Sequence, residues 1–501
     1  MHSGTELPQG ITHSERLLAS LAKRSFLSLW SYANVYTDEG RVNGKGDGKE
    51  LCDLLVVFDR HVIIFSDKHC HFPNNQDIEL AWSRWFRRAV VKSVRQVVGA
   101  QSWMMRFPHR IYLDRQCQKA FPLQLDDLGS MKVHLVAVTR GAHDPCRAHF
   151  GGTSTGSLFI DNSVVGADQH KIPFTVGLVN GTSQYVHVLD ELTLTVLMHE
   201  LDTAPDFIDY LDRKERLLAN RSRNVIATGE EQLVAMYLTR INSLGEHDFT
   251  DIPSNTDGVY VSEGRWESLL QNPQYLAKKK ADRISYAWDR LIEHLIASGR
   301  ADDEEQNIYT IEPGLRVMAA EPRLARRYFA ELLLEALAKE VSPGQRFLRL
   351  GYLKQASGTA YVFLVLPKPP FVSTYSEYRE GRRAFLLACC KIARLRLNEA
   401  THIVGIASEP SGTGGGSEDI VLLKVQGSAW GPEQEAEARR LQKELDILNE
   451  GRAQYFERHT EEYPEHAAPL SGLSPSQRLL ELARRRRKAA AQLKPRRMPK
   501  R

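Results

Sequence analysis

The sequence predicts an α/β protein: a mixed sheet flanked by helices at the N-terminus, a helical middle and a second α/β domain near the C-terminus. Three observations predict this class. Continuously apolar or alternating runs typical of strands occur in both halves, long segments with apolar residues at helical spacing follow them, and charged or Gly-rich stretches separate the groups. The expected divisions are residues 1–190, 191–300, 301–430 and a charged helical and basic tail, 431–501.

The N-terminal region begins with a candidate helix, His13–Tyr32. An apolar strand follows from Cys52 to Phe58, and a second runs from His61 to Phe65 after a tight turn at Asp59-Arg60. Both strands are rich in Val, Ile, Leu and Phe, as buried strands are. The pattern therefore predicts a β-hairpin, followed by one long helix, Leu80–Phe107.

Polar residues gather at the open end of this hairpin. Glu50 and Asp53 lead into the first strand, and Ser66, Asp67 and Lys68 leave the second. Because a hairpin returns to where it began, these side chains meet at one edge of an apolar sheet. Burying charge is costly unless the charge is paired or binds metal. The cluster therefore predicts a functional site.

This arrangement resembles the PD-(D/E)XK nuclease superfamily, in which an acid opens one strand and an acid-x-Lys closes the next. The resemblance covers about the first 110 residues, and the middle of the chain is similar to uncharacterised bacterial proteins with such a nuclease-like N-terminus. It implies a restriction-endonuclease-like sheet and metal-dependent hydrolysis of phosphodiester bonds. We expect DNA, or alternatively RNA, as the substrate, with a role in bacterial defence against foreign nucleic acid as one setting.

The resemblance also implies roles for individual residues. Asp53 would ligate Mg²⁺ or Mn²⁺, with Glu50 and Asp67 as further metal ligands, because hard carboxylate oxygens suit these ions. Lys68 would orient the attacking water and stabilise charge in the transition state. Glu15, on the first helix, is a further candidate acid. The expected catalytic set is therefore Asp53, Lys68, Glu50, Asp67 and Glu15.

One residue departs from the family pattern. Ser66 stands two residues before Lys68, where the family has Asp or Glu. Side chains alternate along a strand, so Asp67 points to the other face unless the strand ends or bulges there. Three interpretations remain open: a carboxylate migrated to Glu50, Glu15 or Asp67, an inactive nuclease-like fold that binds nucleic acid or serves as a scaffold, or an ordinary buried hairpin.

The helix Leu80–Phe107 carries basic residues between tryptophans and has no acid from Ala81 to Arg106. Such a helix can follow a phosphate backbone. We therefore expect nucleic-acid contacts from Arg84, Arg87, Arg88, Lys92 and Gln96. The alternative is that the tryptophans belong to the core and the arginines are merely solvated.

Further strands, Met131–Thr139 and Ser157–Asp161, are expected to extend the first sheet. Helices follow from Leu189, including one with Pro205 in its first turn. The C-terminal half repeats the order helix, hairpin, helix, strand, strand. Its hairpin, Gln345–Lys368, contains no Asp or Glu. This half is therefore either a degenerate copy of the N-terminal fold or a generic α/β domain.

Composition limits the remaining possibilities. The 501 residues carry a formal net charge of +4, yet Arg484–Arg501 alone contains ten Lys or Arg, so the remainder carries −6. This basic tail is a candidate nucleic-acid tether or a solubilising end. No run reaches the roughly 18 apolar residues of a membrane span, and the N-terminus lacks an export signal. We expect a cytoplasmic protein that binds nucleic acid, with a homodimer or a defence-system partner left open.

Overall fold

The structure is a computed structural model that describes residues 12–41, 45–74, 77–125, 127–152, 154–249, 257–301, 307–353, 357–412, 417–425, 429–449 and 461–464. The chain divides into two compact units, Met1–Gln271 and Asn272–Arg501. Each has α/β architecture with a mixed sheet flanked by helices. Within the described ranges, no helix is both long and apolar enough to cross a membrane.

The first unit contains ten strands and eight α-helices among its described residues. The strands are β1 (Ser31–Thr37), β2 (Lys49–Phe58), β3 (His61–His69), β4 (Ile111–Tyr112), β5 (Lys132–Arg140), β6 (Phe159–Val165), β7 (Thr175–Leu178), β8 (Val186–Asp190), β9 (Asn224–Ala227) and β10 (Gly258–Val261). The helices are α1 (His13–Phe26), α2 (Ile78–Phe86), α3 (Lys92–Arg106), α4 (His143–His149), α5 (Glu191–Glu200), α6 (Ala204–Ala219), α7 (Glu230–Leu238) and α8 (Arg265–Gln271).

Six strands form the main sheet in the order β4-β1-β2-β3-β5-β8. Strand β2 is antiparallel to both β1 and β3, whereas β5 runs parallel to β3 and β8 runs parallel to β5. The predicted hairpin is confirmed as β2 and β3, both longer than expected. Its turn places Asp59 at φ 51°, a left-handed conformation that Asp tolerates better than most residues.

The first helix is shorter than predicted. Thr12 caps α1 together with Glu15 in a capping box, but the helix ends at Phe26 because Leu27 adopts φ 64°. The chain then enters β1, whose seven residues are all buried. The prediction of a helix as far as Tyr32 was therefore wrong, and the end of that segment instead begins a strand inside the main sheet.

The helix predicted from Leu80 to Phe107 is interrupted. A five-residue π-helical turn, Arg87–Val91, joins α2 to α3 without a break in the chain direction. Trp82 of α2 packs on the segment that joins β6 to β7, where its Nε1 donates to the His170 carbonyl and its ring contacts Phe174. By contrast, α3 packs against β3 and β5 of the main sheet.

The strand Phe159–Val165 does not extend the main sheet as expected. It belongs to a second, four-stranded sheet ordered β10-β9-β6-β7. The predicted 191–300 region is likewise not a separate unit, since α5 to α8 lie in the first unit. Pro205 does lie in the first turn of α6, capped by Thr203, as predicted.

The second unit carries a four-stranded sheet ordered β11-β12-β13-β14. Its elements are α9 (Pro273–Ala281), α10 (Tyr286–Ala301), α11 (Ile308–Ala319), α12 (Arg323–Leu337), β11 (Phe347–Tyr352), β12 (Thr359–Val365), α13 (Tyr375–Arg394), β13 (His402–Ser408), β14 (Asp419–Lys424) and α14 (Pro432–Leu445). The predicted basic tail Arg484–Arg501 lies outside the described residues.

Part of the predicted repeat order is present in this second unit. An antiparallel hairpin, β11 and β12, is followed by α13 and by β13 parallel to β12, which is the order of β2, β3, α3 and β5. The next strand in each sheet differs in direction: β14 is antiparallel to β13, whereas β8 is parallel to β5. A degenerate repeat therefore stays a prediction.

Candidate functional site

The register of the hairpin decides which polar side chains share a face. Leu54 lies directly opposite Phe65, so the adjacent Asp53 and Ser66 both point to the other side of the sheet, and Lys68 joins them two residues later. The helix α3 covers this face, because Gln96 accepts a hydrogen bond from Ser66 Oγ at 3.0 Å. Asp53 and Lys68 therefore lie on one face of the sheet, at the end of the hairpin where the sequence analysis expected them.

Asp53 is a carboxylate held in an apolar environment. It is 7% exposed, and its Oδ2 accepts a hydrogen bond from the backbone N–H of Asp67 at 2.7 Å. Burial raises the pKa of Asp53 from 3.8 to about 7; the Asp67 N–H opposes this rise, while Glu50 raises the pKa and Lys68 lowers it. Asp53 is thus electrostatically coupled to both Glu50 and Lys68.

A buried asparagine connects the two glutamates. The Nδ2 of Asn34 donates to Glu15 Oε2 at 3.2 Å and to Glu50 Oε1 at 3.3 Å. Asn34 is 2% exposed with φ 51°, and the β1–β2 register shifts just after it, between Val35 and Tyr36. Burial raises the pKa of Glu50, and Glu15 adds to the rise. The sequence analysis missed Asn34, although a single amide inside an apolar run was a signal.

The donor atoms at this end of the sheet suit a hard divalent ion. Asn34 Oδ1 is buried with no hydrogen-bond partner among the described residues. An amide oxygen beside carboxylates is a ligand set that Mg²⁺ and Mn²⁺ accept, and Mg²⁺ commonly takes one or two carboxylates and keeps water in its other positions. Among the described residues, these acids do not form a set of three ligand atoms mutually within 4.8 Å. The carboxylates at this edge therefore do not form a ready-made three-ligand cluster.

Asp67 does not join this group. Its β3 position keeps regular register with β5 as far as His69, so its side chain points to the opposite face from Lys68. There its two carboxylate oxygens accept hydrogen bonds from Arg140 Nε and Nη2, both at 2.8 Å, and the Asp67 side chain is fully buried. The expected metal-ligand role of Asp67 is therefore replaced by a structural ion pair with Arg140.

Glu15 has a structural role alongside its place near the site. Its Oε2 accepts a hydrogen bond from the Thr12 backbone N–H at 3.2 Å, which completes the cap of α1. The same oxygen accepts the Asn34 amide. Glu15 therefore reaches Glu50 through Asn34, and fixes the start of α1 at the same edge of the sheet.

The basic helix divides into a buried side and an exposed side. Trp82 and Trp85 are fully buried, which favours the interpretation that the tryptophans belong to the core. Four of the expected nucleic-acid contacts are exposed, namely Arg84, Arg87, Arg88 and Lys92. The fifth, Gln96, is half-buried and bonded to Ser66.

A groove of about 710 Å³ lies along this helix. Its charged lining is mainly basic, with two acids, and comprises Arg87, Lys92, Arg95, Lys171, Glu79 and Asp168. Arg84 and Arg88 are not among its lining residues, and Arg88 Nη2 donates instead to the His71 carbonyl at 3.2 Å. Since Lys92 and Arg95 flank Ser93, which donates to the Ser66 carbonyl, the groove runs beside the face that carries Asp53 and Lys68.

Comparison of the chain with protein-family models, curated proteins and solved structures found no match.

Proposed function

We propose that the first unit is a metal-dependent nuclease with a restriction-endonuclease-like core that hydrolyses phosphodiester bonds of DNA, or alternatively RNA. The observation that carries this proposal is the desolvated Asp53, which shares a face of the mixed sheet with Lys68 and is electrostatically coupled to Lys68 and Glu50. Retaining a carboxylate where burial opposes its charge is costly, and such a group is a candidate for a functional site. The directions of strands β1, β2, β3 and β5 also support the proposed restriction-endonuclease-like core.

Asp53 and Glu50 would hold Mg²⁺ or Mn²⁺, and Asn34 Oδ1 offers a neutral third ligand. The bound ion would polarise the scissile phosphate and acidify water. Lys68 is half-buried at the end of β3, where its ammonium group would stabilise negative charge developing on the phosphate. Lys68 also lowers the pKa of both carboxylates, which favours the ionised forms that bind a cation.

The basic groove supplies a path for the substrate. Arg87, Lys92 and Arg95 lie on the exposed side of the helix that covers the Asp53 face, and Lys171 faces them. Contacts of this kind neutralise phosphates and position a strand without reading its sequence. A strand in the groove would therefore lie on the solvent side of the helix that covers Asp53 and Lys68.

A second candidate, a non-catalytic nucleic-acid-binding protein, is supported by one observation. Ser66 occupies the acidic position of the nuclease motif, and its hydroxyl is hydrogen-bonded to Gln96 inside the protein. Neither side chain of this buried pair is charged, so the pair adds no negative charge that would attract a metal ion. The groove would then bind nucleic acid without cutting it.

The test is cleavage of plasmid, linear and single-stranded DNA and of RNA with Mg²⁺ or Mn²⁺. We expect wild-type protein to cut at least one substrate, and Asp53→Asn and Lys68→Met to lose cutting by about two orders of magnitude or more. Asp59→Asn, in the exposed hairpin turn, is the matched control and should cut normally. Binding without cutting by wild type would instead support the non-catalytic candidate.

A gain-of-function variant separates the two candidates further. Ser66→Asp places a carboxylate on the Asp53 face, where Gln96 can turn its amide to donate to it. If the ion is held weakly by Asp53 and Glu50, this variant should reach half-maximal cutting at a lower Mg²⁺ concentration. A folded Ser66→Asp variant as inert as wild type would favour the binding protein.

A further inference from the structure

Three histidines lie at the opposite end of the main sheet from Asp53. His61 begins β3, His134 is the third residue of β5 and His187 is the second residue of β8. The parallel register pairs Ile63 with His134 and Val136 with His187, so the three imidazoles project from the same face. This histidine cluster was not predicted, because only the register of three distant strands brings it together.

The helix α6 adds carboxylates to this face. It packs there through Phe207, whose ring lies 6.2 Å from that of Phe65. Asp212 and Glu215, further along α6, then approach the histidine cluster. The ligand atoms of His61, His134 and Asp212 all lie within 4.8 Å of one another, and so do those of His134, His187 and Glu215.

The spacing of these atoms is that of ligands on one ion. His61 Nδ1 lies 3.1 Å from His134 Nε2, which lies 3.7 Å from Asp212 Oδ1. Two ligands bound tetrahedrally at Zn–N distances of about 2.0–2.1 Å are about 3.3 Å apart. These two distances are within a few tenths of an ångström of that separation, and the ligand atoms of His61 and Asp212 lie within 4.8 Å of each other.

Two of the three imidazoles are deeply buried. His134 and His187 are each 1% exposed, and the Nδ1 atom of each has no hydrogen-bond partner among the described residues. The Nδ1 atom of His134 is not the one that faces the other ligands, because His134 approaches His61 and Asp212 through Nε2. His134 therefore offers Nε2 to an ion.

One cation already competes for the carboxylates. Lys132 Nζ lies 2.5 Å from Asp212 Oδ1 and 3.5 Å from Glu215 Oε2. The Lys132 side chain is 41% exposed, so it can swing into solvent when another cation arrives. The Asp212 side chain is 25% exposed, which leaves an entry path from solvent. Removing the ammonium group should therefore strengthen metal binding.

We propose that His61, His134 and Asp212 bind one divalent transition-metal ion, with Zn²⁺ as the reference ion. Two imidazoles and one carboxylate select such an ion over Mg²⁺ and leave a coordination position for water. The ion would join β3, β5 and α6. His61 and Lys68 are seven residues apart along β3, roughly 23 Å, so this site is separate from the Asp53 site.

The test uses the full-length protein, without an affinity tag and stripped of metal with a chelator. We expect titration with Zn²⁺ to give one tight equivalent and a higher melting temperature, and Co²⁺ to give the absorption of a site with nitrogen ligands. His134→Gln and Asp212→Asn should weaken Zn²⁺ binding by about tenfold to a hundredfold. His13→Gln, which changes an exposed histidine of α1, should bind as wild type does.

Lys132→Met keeps the proposal testable if the ligand variants fold poorly. Without the competing ammonium group, its Zn²⁺ affinity should rise by about threefold or more. Wild-type protein that binds Zn²⁺ no better than folded His134→Gln would overturn the proposal. So would a Lys132→Met variant with unchanged affinity. Neither readout depends on nucleic-acid cleavage, so this proposal and the nuclease proposal can fail separately.

Discussion

The backbone N–H of Asp67 donates a 2.7 Å hydrogen bond to Oδ2 of Asp53, so β3 fixes the orientation of a carboxylate that belongs to β2. The Asp67 side chain simultaneously points away to Arg140. One residue thus positions the candidate metal ligand through its main chain and secures the neighbouring strand through its side chain. Both functions depend on β3 remaining regular as far as His69.

Asp53→Asn should stabilise the first unit, increasingly so as the pH rises. The folded pKa of Asp53 is raised to about 7 from 3.8, so the native state keeps a proton that the unfolded state releases. The stability that this proton linkage contributes is present below about pH 4 and is lost as the pH rises toward 7. The variant's advantage over wild type should therefore grow by about 2–3 kcal/mol between pH 5 and pH 8.

Denaturant unfolding at several pH values measures this difference. Asp59→Asn is the control, because Asp59 is exposed in the hairpin turn and Asn accepts its left-handed backbone. An Asp53→Asn advantage that is independent of pH would contradict the assigned linkage.

Arg140→Met should destabilise the first unit by about 3–5 kcal/mol, because it leaves the Asp67 carboxylate buried without a partner. The double variant Asp67→Asn/Arg140→Met should recover part of that loss. A double-mutant cycle by chemical denaturation measures the coupling. The exposed pair of Arg110 and Asp38 serves as a control, and Arg110→Ala should leave the stability almost unchanged.

If the groove binds nucleic acid, alanine at Arg87, Lys92 or Arg95 should weaken binding of all sequences similarly. Each removed phosphate contact should also reduce the slope of log affinity against log salt by about 1. Fluorescence anisotropy at several salt concentrations measures both quantities. Lys23→Ala, an exposed change on α1 across the sheet, should leave them unchanged. Equal effects from Lys23→Ala would point to net charge rather than to the groove.

In the second unit, Asp419→Asn should cost about 3–5 kcal/mol. Asp419 is fully buried, with Oδ2 at 2.7 Å from Arg382 Nε and Oδ1 at 2.9 Å from Arg379 Nη2. The Arg382 side chain is also fully buried, so a neutral partner would leave its charge compensated only by the more distant Glu409, at 4.0 Å. Calorimetry should show a lower transition for this unit. Glu435→Gln, which breaks an exposed pair with Arg439, should change it by less than about 0.5 kcal/mol.

The hairpin was predictable because its apolar strands and turn residues are local signals. The helix α1 was overextended because Leu27, an ordinary helix former, adopts φ 64° only under tertiary constraint. The separate sheet of β6, β7, β9 and β10 was missed because strand partnership across more than sixty residues has no local pattern.

The candidate site was predictable in part for the same reason. Asp53 and Lys68 belong to one hairpin, so the sequence placed them at one edge of the sheet, and the register then showed that they share a face. The role of Asp67 could not be predicted, because its partner Arg140 lies on β5, far along the chain. Asn34 could not be predicted as a site residue because the strand that carries it, β1, was not recognised. What sequence missed were the partners contributed by distant strands.

The π-helical turn Arg87–Val91 changes the direction in which side chains point along one continuous helix. A regular helix advances about 100° per residue, and a π turn accommodates one extra residue in the winding. The side of the helix that α2 turns to the segment between β6 and β7 is thereby offset from the side that α3 turns to β3. Deleting one residue there would rotate Gln96 away from Ser66 and move the basic groove with it. The π turn therefore sets which side chains of α3 cover the candidate site.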